Sequence, residues 1–136
     1  MAYANQYEAF ESILREAMPG TLVYQANMPF TKMDELARAA VKTVTYLFYQ
    51  DTERVTTSGP FGVHDVVIEV NLFGPLEEID RMASELSALL LSDDVIREQW
   101  TFTLGMKDKK DIWEPNIKAK RLWIQYKGIM LVNSEQ

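Results

Sequence analysis

In residues 63–91, the spacing of apolar side chains changes from every second position, as in a strand, to every third or fourth position, as in a helix. The apolar residues of 63–73 (Val-His-Asp-Val-Val-Ile-Glu-Val-Asn-Leu-Phe) fall mainly at every second position. This spacing is typical of a strand that is buried on one face. After Gly74-Pro75, apolar residues recur at three- and four-residue steps as far as Leu91, which predicts an amphipathic helix. The helix is expected to fold back over the apolar face of the strand, so this unit is a scaffold without chemistry of its own.

The length and composition predict a single domain over residues 1–136. The chain is 47% hydrophobic, and a chain of this length buries roughly two-thirds of its unfolded surface. Cysteine is absent, which excludes disulfides and thiolate chemistry and fits a reducing cytosol. The N-terminal residues lack the basic start and apolar block of a signal peptide. There is no run of about 18 apolar residues, so no membrane span is expected.

The remaining segments predict two layers of secondary structure. Residues 4–18 predict a helix that ends at Pro19-Gly20, and residues 31–42 predict a short second helix. Strands are predicted over 21–28, 43–50, 100–106 and 117–127, with long loops over 51–62 and 107–116. This order predicts an α+β fold. We expect a two-layer sandwich, with two main helices on one face of a mostly antiparallel sheet of four to five strands.

The sheet face that the helices leave open is the predicted interaction surface. It is polar overall, but Val67 and Trp123 alternate onto it. Single apolar residues on a surface are common, whereas an adjacent Trp and Val on an open sheet indicate a partner. Arg121 shares this face, and the predicted loops contribute further aromatic and basic side chains. The predicted interface residues are Val67, Trp123, Arg121, Lys109, Lys110, Trp113 and Phe61.

Charge is distributed unevenly along the chain. Residues 1–94 hold 6 Lys and Arg against 15 Asp and Glu, and residues 95–136 hold 8 against 5. The balances are therefore −9 and +3. This uneven distribution has two possible explanations. The charged residues can simply form a solvated surface, or the acidic part of one subunit can contact the basic part of a neighbouring subunit, head to tail. Sequence-specific nucleic-acid binding is disfavoured, because it needs a cluster of uncompensated Lys and Arg.

No residue pattern predicts catalysis, a cofactor or a metal. His64 is the only histidine, and in a strand it points away from its neighbour Asp65, so we expect a structural histidine and no dyad. Glu77, Glu78 and Asp80 open the predicted helix, where its dipole favours negative charge, and they lack the spacing of a calcium loop. Phosphate-binding and nucleophile motifs are absent. We therefore expect a protein without enzymatic activity, although a carboxylate pair assembled in space stays open.

The order of elements resembles a known family. The N-terminal amphipathic helix, Leu22-Val23-Tyr24, the strand around Tyr46–Tyr49 and the unit 66–91 with two following strands are similar to tail terminator (tail completion) proteins of long-tailed bacteriophages. The resemblance implies a virion subunit of the tail or neck, assembled in the host cytoplasm. In that family a hexameric ring caps the tail tube and joins it to the head, without cofactor or catalysis.

The resemblance also implies the partners: copies of this chain, the tail tube and neck or connector proteins. The two predicted loops would reach neighbouring subunits or the tube. The predicted helix over 31–42 departs from the family pattern, which keeps a head–tail connector or another virion component open. The alternative is a small dimeric adaptor or ligand-binding module without catalysis, which would use the sheet face around Trp123.

Overall fold

A computed structural model describes residues 3–25, 41–54, 61–114 and 119–133 of the protein. The helices are α1 (Gln6–Ala17) and α2 (Leu76–Ser92), and the strands are β1 (Leu22–Gln25), β2 (Thr43–Glu53), β3 (Phe61–Pro75), β4 (Val95–Arg97), β5 (Trp100–Glu114) and β6 (Ala119–Asn133). The six strands form one sheet in the order β1-β2-β3-β6-β5-β4. β1 is parallel to β2, and every other pair of neighbours in this sheet is antiparallel. Within the described ranges, no helix is long and apolar enough to cross a membrane.

The predicted fold class is wrong. The described chain is mostly β, and its six strands form a mixed, curled half-barrel with two helices. A mostly antiparallel sandwich of four to five strands does not describe this architecture. β4 has only three residues, which is too short for an alternating pattern to register. The parallel pairing of β1 with β2 requires a crossover connection, and no local pattern in either strand reveals its direction.

Strands extend into both of the long predicted loops. β5 continues to Glu114, through most of the charged segment 107–116. Residues 105–111 are all exposed, so polar side chains occur on both faces of this strand and its pattern is indistinguishable from that of a loop. β2 runs to Glu53 and β3 begins at Phe61, which shortens the other predicted loop. The rest of that loop, residues 55–60, lies outside the described residues. The same is true of the predicted helix over 31–42, except for positions 41 and 42.

Two irregularities bend the sheet. The pairing shifts between Phe48 and Gln50 in β2 and between Met106 and Asp108 in β5, and such bulges increase local twist and bend the strand. Gly128 pairs in regular register with Leu104 of β5. A side-chain carbon at Gly128 would lie 2.0 Å from the carbonyl oxygen of Thr103. Only glycine permits this close approach of β5 and β6.

Both helices pack on the same face of the sheet. Phe10 of α1 is fully buried, and its ring centre lies 5.5 Å from that of Tyr46, 5.7 Å from that of Phe48 and 5.8 Å from that of Phe102. On α2, the hydroxyl of Ser87 lies 2.9 Å from that of Tyr126 in β6. The alternation predicted for β3 and the apolar stripes predicted for the two helices are confirmed in most positions. The buried residues include Ile13, Leu14, Val66, Ile68, Val70, Leu72, Ile79, Leu86 and Leu90, whereas Leu89 is only partly buried. This packing determines which side chains remain on the other face.

Candidate interaction surface

Trp123 lies on the sheet face opposite the helices, because its neighbours Leu122 and Ile124 are fully buried in the core. Its cross-strand partners are Asn71 in β3 and Lys110 in β5. The ammonium nitrogen of Lys110 lies 5.6 Å from the centre of the Trp123 ring. A cation over an indole at this distance is stabilised by about 0.5–1 kcal/mol at an exposed site. Trp123 itself is half-buried, so part of its ring remains available to a partner.

Arg121 extends this group towards the start of β6. Its Nε donates a 3.0 Å hydrogen bond to Oδ1 of Asn71, and its guanidinium carbon lies 5.6 Å from the centre of the Phe73 ring. Phe73 is only 7% exposed. We call Trp123, Lys110, Arg121, Asn71 and Phe73 the Trp123 cluster. Of its members, Trp123 and Arg121 are of residue types enriched at protein interfaces.

Val67 shares this face but is not available to a partner. It is 3% exposed. Nearby, Gln125 is 8% exposed, and its Nε2 donates a 3.1 Å hydrogen bond to Oε1 of Glu69 on β3. The centre of this face is thus closed by the chain itself. The alternation of β3 correctly predicted the direction of Val67 but did not reveal its burial.

The other predicted interface residues are dispersed. Lys109 pairs with Ile124, so it lies on the helix-bearing side of the sheet, where it is exposed. Phe61 opens β3 opposite Asn133. Trp113 pairs with Lys120, at the opposite end of the sheet from Phe61. The structure therefore brings together Trp123, Lys110 and Arg121 and leaves the remaining predicted residues apart from them.

A second surface feature, which the sequence did not predict, lies at the end of the sheet that bears Phe61. His64 Nδ1 lies 2.6 Å from Oδ1 of Asp51, and Nε2 of Gln6 donates a 3.2 Å hydrogen bond to Oδ2 of the same carboxylate. The His64 and Asp51 side chains are 21% and 20% exposed. They belong to a cavity of about 270 Å³ that we call the acidic pocket, lined by Gln6, Asp51, Glu53, Gly62, His64, Trp100, Met130 and Val132.

Asp65, which follows His64 in the sequence, makes a separate ion pair. It accepts hydrogen bonds of 2.8 and 2.7 Å from Nε and Nη2 of Arg54. These hydrogen bonds lower the pKa of the Asp65 carboxyl. The prediction that His64 and Asp65 do not form a dyad is confirmed, because each has its own partner from the β2 side of the sheet.

The acidic start of α2 is explained by local contacts. Oε1 of Glu78 accepts a 2.9 Å hydrogen bond from Arg81 and lies 4.0 Å from Nζ of Lys42. Glu77 and Glu78 occupy the first turn, where the helix dipole favours them. In the described part of the chain, no three His, Cys, Asp or Glu side chains are grouped closely enough to hold a metal ion.

Comparisons with known proteins show the fold. No protein-family model matches the chain, and no curated protein matches it. Among solved structures, one chain of the virion of a native gene transfer agent particle is similar, with a TM-score of 0.54 and 17% sequence identity. The alignment covers 92% of this chain and 90% of that chain. Almost the whole of the two chains therefore shares one fold.

Proposed function

We propose that this protein is a structural subunit of a phage-like virion. The observation that carries the proposal is the fold that it shares with a chain of a gene transfer agent virion over 92% of its own length and 90% of that chain. Coverage of this extent on both sides means that the shared fold is not confined to a small common fragment. The proposed location is therefore the virion, and the proposed partners are other virion proteins.

Within that role, we infer a ring that caps the tail tube and joins it to the head, as tail terminator proteins do. The sequence resemblance to that family supports this narrower reading. A hexamer is the expected state, assembled in the host cytoplasm before it joins the tail. Ring interfaces of this obligate kind bury on the order of 2,000 Å² or more.

Exposed apolar and aromatic side chains support a role in assembly. Ile96 on the edge strand β4 is 62% exposed, and Tyr49 on β2 is 65% exposed. The Trp123 cluster adds a half-buried indole that lies beneath the ammonium group of Lys110. Single exposed apolar side chains are common on protein surfaces, so the Trp123 cluster carries this support.

We propose that the acidic pocket does not act through a side-chain nucleophile. Its His64 is held by Asp51, but the described residues that line the pocket include no serine, threonine, cysteine or lysine that the imidazole could activate. We propose that the pair is structural or takes part in binding.

Native mass spectrometry over a range of protein concentrations, with negative-stain electron microscopy of the same samples, tests the proposal. We expect closed rings, with a hexamer as the dominant mass. Addition of the protein to a growing tail-tube preparation is expected to stop elongation and leave a ring at one end. A dimer that is insensitive to salt, with no effect on tube length, contradicts the ring and favours the adaptor or ligand-binding module.

A further inference from the structure

The acidic pocket has an apolar floor and a polar rim. Trp100 and Met130, which are 8% and 1% exposed, belong to the floor, and the carboxylates of Asp51 and Glu53 belong to the rim. A cavity of about 270 Å³ accommodates one long side chain. This combination suits a side chain with an aliphatic stem and a charged end.

The hydrogen bonds within the pocket orient its acceptors. A carboxylate only accepts hydrogen bonds, so the 2.6 Å contact with Asp51 places the proton of the neutral His64 ring on Nδ1. Nε2 then carries a free lone pair. A methyl group at Gly62 would stand 3.6 Å from Oε1 of Glu53 and 3.8 Å from Nε2 of His64. These two acceptors therefore converge over the space that glycine leaves open.

The complementary charge does not come from the described part of the same chain. Arg54, the nearest basic residue in sequence, pairs with Asp65. Among the ion pairs of the described residues, none joins a lysine or arginine to Asp51 or Glu53. Residues 1–94 also carry a balance of −9 against +3 for residues 95–136. A cation from another molecule can serve as the counterpart of the pocket.

A suitable cation lies farther along the same strand. β5 starts at Trp100 in the pocket and reaches Lys109 nine residues later, roughly 30 Å away at the rise of a strand. Lys109 is exposed, lies on the side of the sheet that bears the helices, and pairs with Ile124. Lys110 is a poorer candidate, because it is engaged with Trp123.

We propose that the acidic pocket binds the side chain of Lys109 from a second copy of this chain. The lysine stem packs on Trp100 and Met130, and its ammonium donates hydrogen bonds to Glu53 and to Nε2 of His64. Because the two contact sites are different patches roughly 30 Å apart on one subunit, the contact is head-to-tail, and such contacts close into rings when the rotation allows it. This inference rests on the proposed self-assembly and specifies the contact that directs it.

A charge exchange tests the pairing. Glu53→Lys and Lys109→Glu, each alone, are expected to weaken self-association by roughly tenfold or more, and the double variant is expected to recover most of the loss. Glu85→Lys changes the net charge as Glu53→Lys does, at an exposed position on α2, and serves as the matched control. Sedimentation equilibrium gives the association constants, and circular dichroism confirms that each variant is folded.

Cross-linking gives an independent readout, because the natural chain has no cysteine. A variant carrying Glu53→Cys and Lys109→Cys is expected to form a disulfide-linked ladder on oxidation, up to the size of the ring. Each single-cysteine variant is expected to stop at a dimer at most.

The outcomes separate the two proposals. Rings that form normally in Glu53→Lys and in Lys109→Glu, without a ladder in the double-cysteine variant, overturn the lysine contact and leave the virion subunit in place. A wild-type protein that stays monomeric at every concentration overturns both the contact and the ring.

Discussion

The phenol of Tyr46 donates a 2.8 Å hydrogen bond to Oε1 of Glu11, which links the middle of β2 to α1. The same hydroxyl lies 3.3 Å from the carbonyl oxygen of Tyr7. The Tyr46 side chain is 1% exposed and packs against Phe10. Burial, and after it the hydrogen bond and charge of Glu11, raise the pKa of Tyr46 well above its usual value.

The raised pKa makes stability sensitive to alkali. Below the pKa of an unfolded tyrosine, about 10, the phenol is neutral in the folded and the unfolded state, and Tyr46 makes its full contribution to the free energy of unfolding. Above that pH the unfolded chain loses the proton while folded Tyr46 keeps it, so the free energy of unfolding falls as pH rises. Tyr46→Phe is expected to cost about 1 kcal/mol near neutral pH through the lost hydrogen bond, and to lessen the alkaline fall.

Urea denaturation at about pH 8 and about pH 11 measures both effects. Tyr49→Phe is the control, because Tyr49 is 65% exposed and its replacement is expected to change neither value. Burial also raises the pKa of Tyr126, so part of the alkaline fall is expected to persist in Tyr46→Phe. An alkaline fall in Tyr46→Phe equal to that of the wild type contradicts the assignment.

Gly128→Ala is expected to destabilise the protein strongly. The added carbon would lie 2.0 Å from the carbonyl oxygen of Thr103 and 2.9 Å from Cα of Leu104, so β5 and β6 must separate. We expect a loss of about 3 kcal/mol or more in the free energy of unfolding, the upper range for overpacking. Gly105→Ala is the matched control, because the nearest atom to its added carbon is the carbonyl oxygen of Lys127, at 3.8 Å. Equal stability of the two variants would show that the strands can separate at little cost.

The sequence predicted the parts of the fold in which one face is buried and the other meets water. In β3, Val66, Ile68, Val70 and Leu72 are buried in the core, as their alternation indicates. In α1, Phe10 is buried on the apolar side of the amphipathic helix. The second half of β5 was missed, because residues 105–111 are exposed on both faces. Where neither face is buried, a strand has no apolar period that distinguishes it from a loop.

The contacts of Asp51 with His64 and of Lys110 with Trp123 depend on the pairing register of neighbouring strands, which no local sequence pattern encodes. Asp51 meets His64 because of the pairing of β2 with β3 beyond the shift at Phe48 and Gln50, and a shift by one residue would move Asp51 to the other face. The sequence did place Trp123 opposite the core. It could not predict that Lys110 lies over its ring, because the bulge of β5 after Met106 determines that neighbour.

Asn5 is expected to contribute to stability as the N-cap of α1. Its Oδ1 accepts a 3.0 Å hydrogen bond from the backbone N–H of Glu8, and the Glu8 carboxylate accepts a 2.9 Å hydrogen bond from the N–H of Ala4. Asn5→Ala removes the capping acceptor and is expected to cost about 1 kcal/mol. Asn5→Ser keeps an acceptor and is expected to stay close to the wild type. Thermal unfolding followed by circular dichroism compares the variants, and equal losses in both would argue against a capping role.

The contact between Lys110 and Trp123 makes two separable predictions for the Trp123 cluster. Within one subunit, a double-mutant cycle with Lys110→Met and Trp123→Leu is expected to give a coupling of about 0.5–1 kcal/mol, because the cation lies 5.6 Å from the ring centre. Lys107→Met with Trp123→Leu is the control cycle and is expected to give no coupling.

Between subunits, Trp123→Ala is expected to weaken ring formation more than it lowers the stability of the monomer, because Trp123 is only half-buried and part of its ring is free to contact a neighbour. Urea denaturation of the dilute protein and native mass spectrometry of the concentrated protein measure the two effects separately. If Trp123→Ala assembles as the wild type does and is equally stable, the face opposite the helices is not a contact surface. Assembly must then depend on other surfaces, such as the acidic pocket and the exposed side chain of Lys109 on the face that bears the helices.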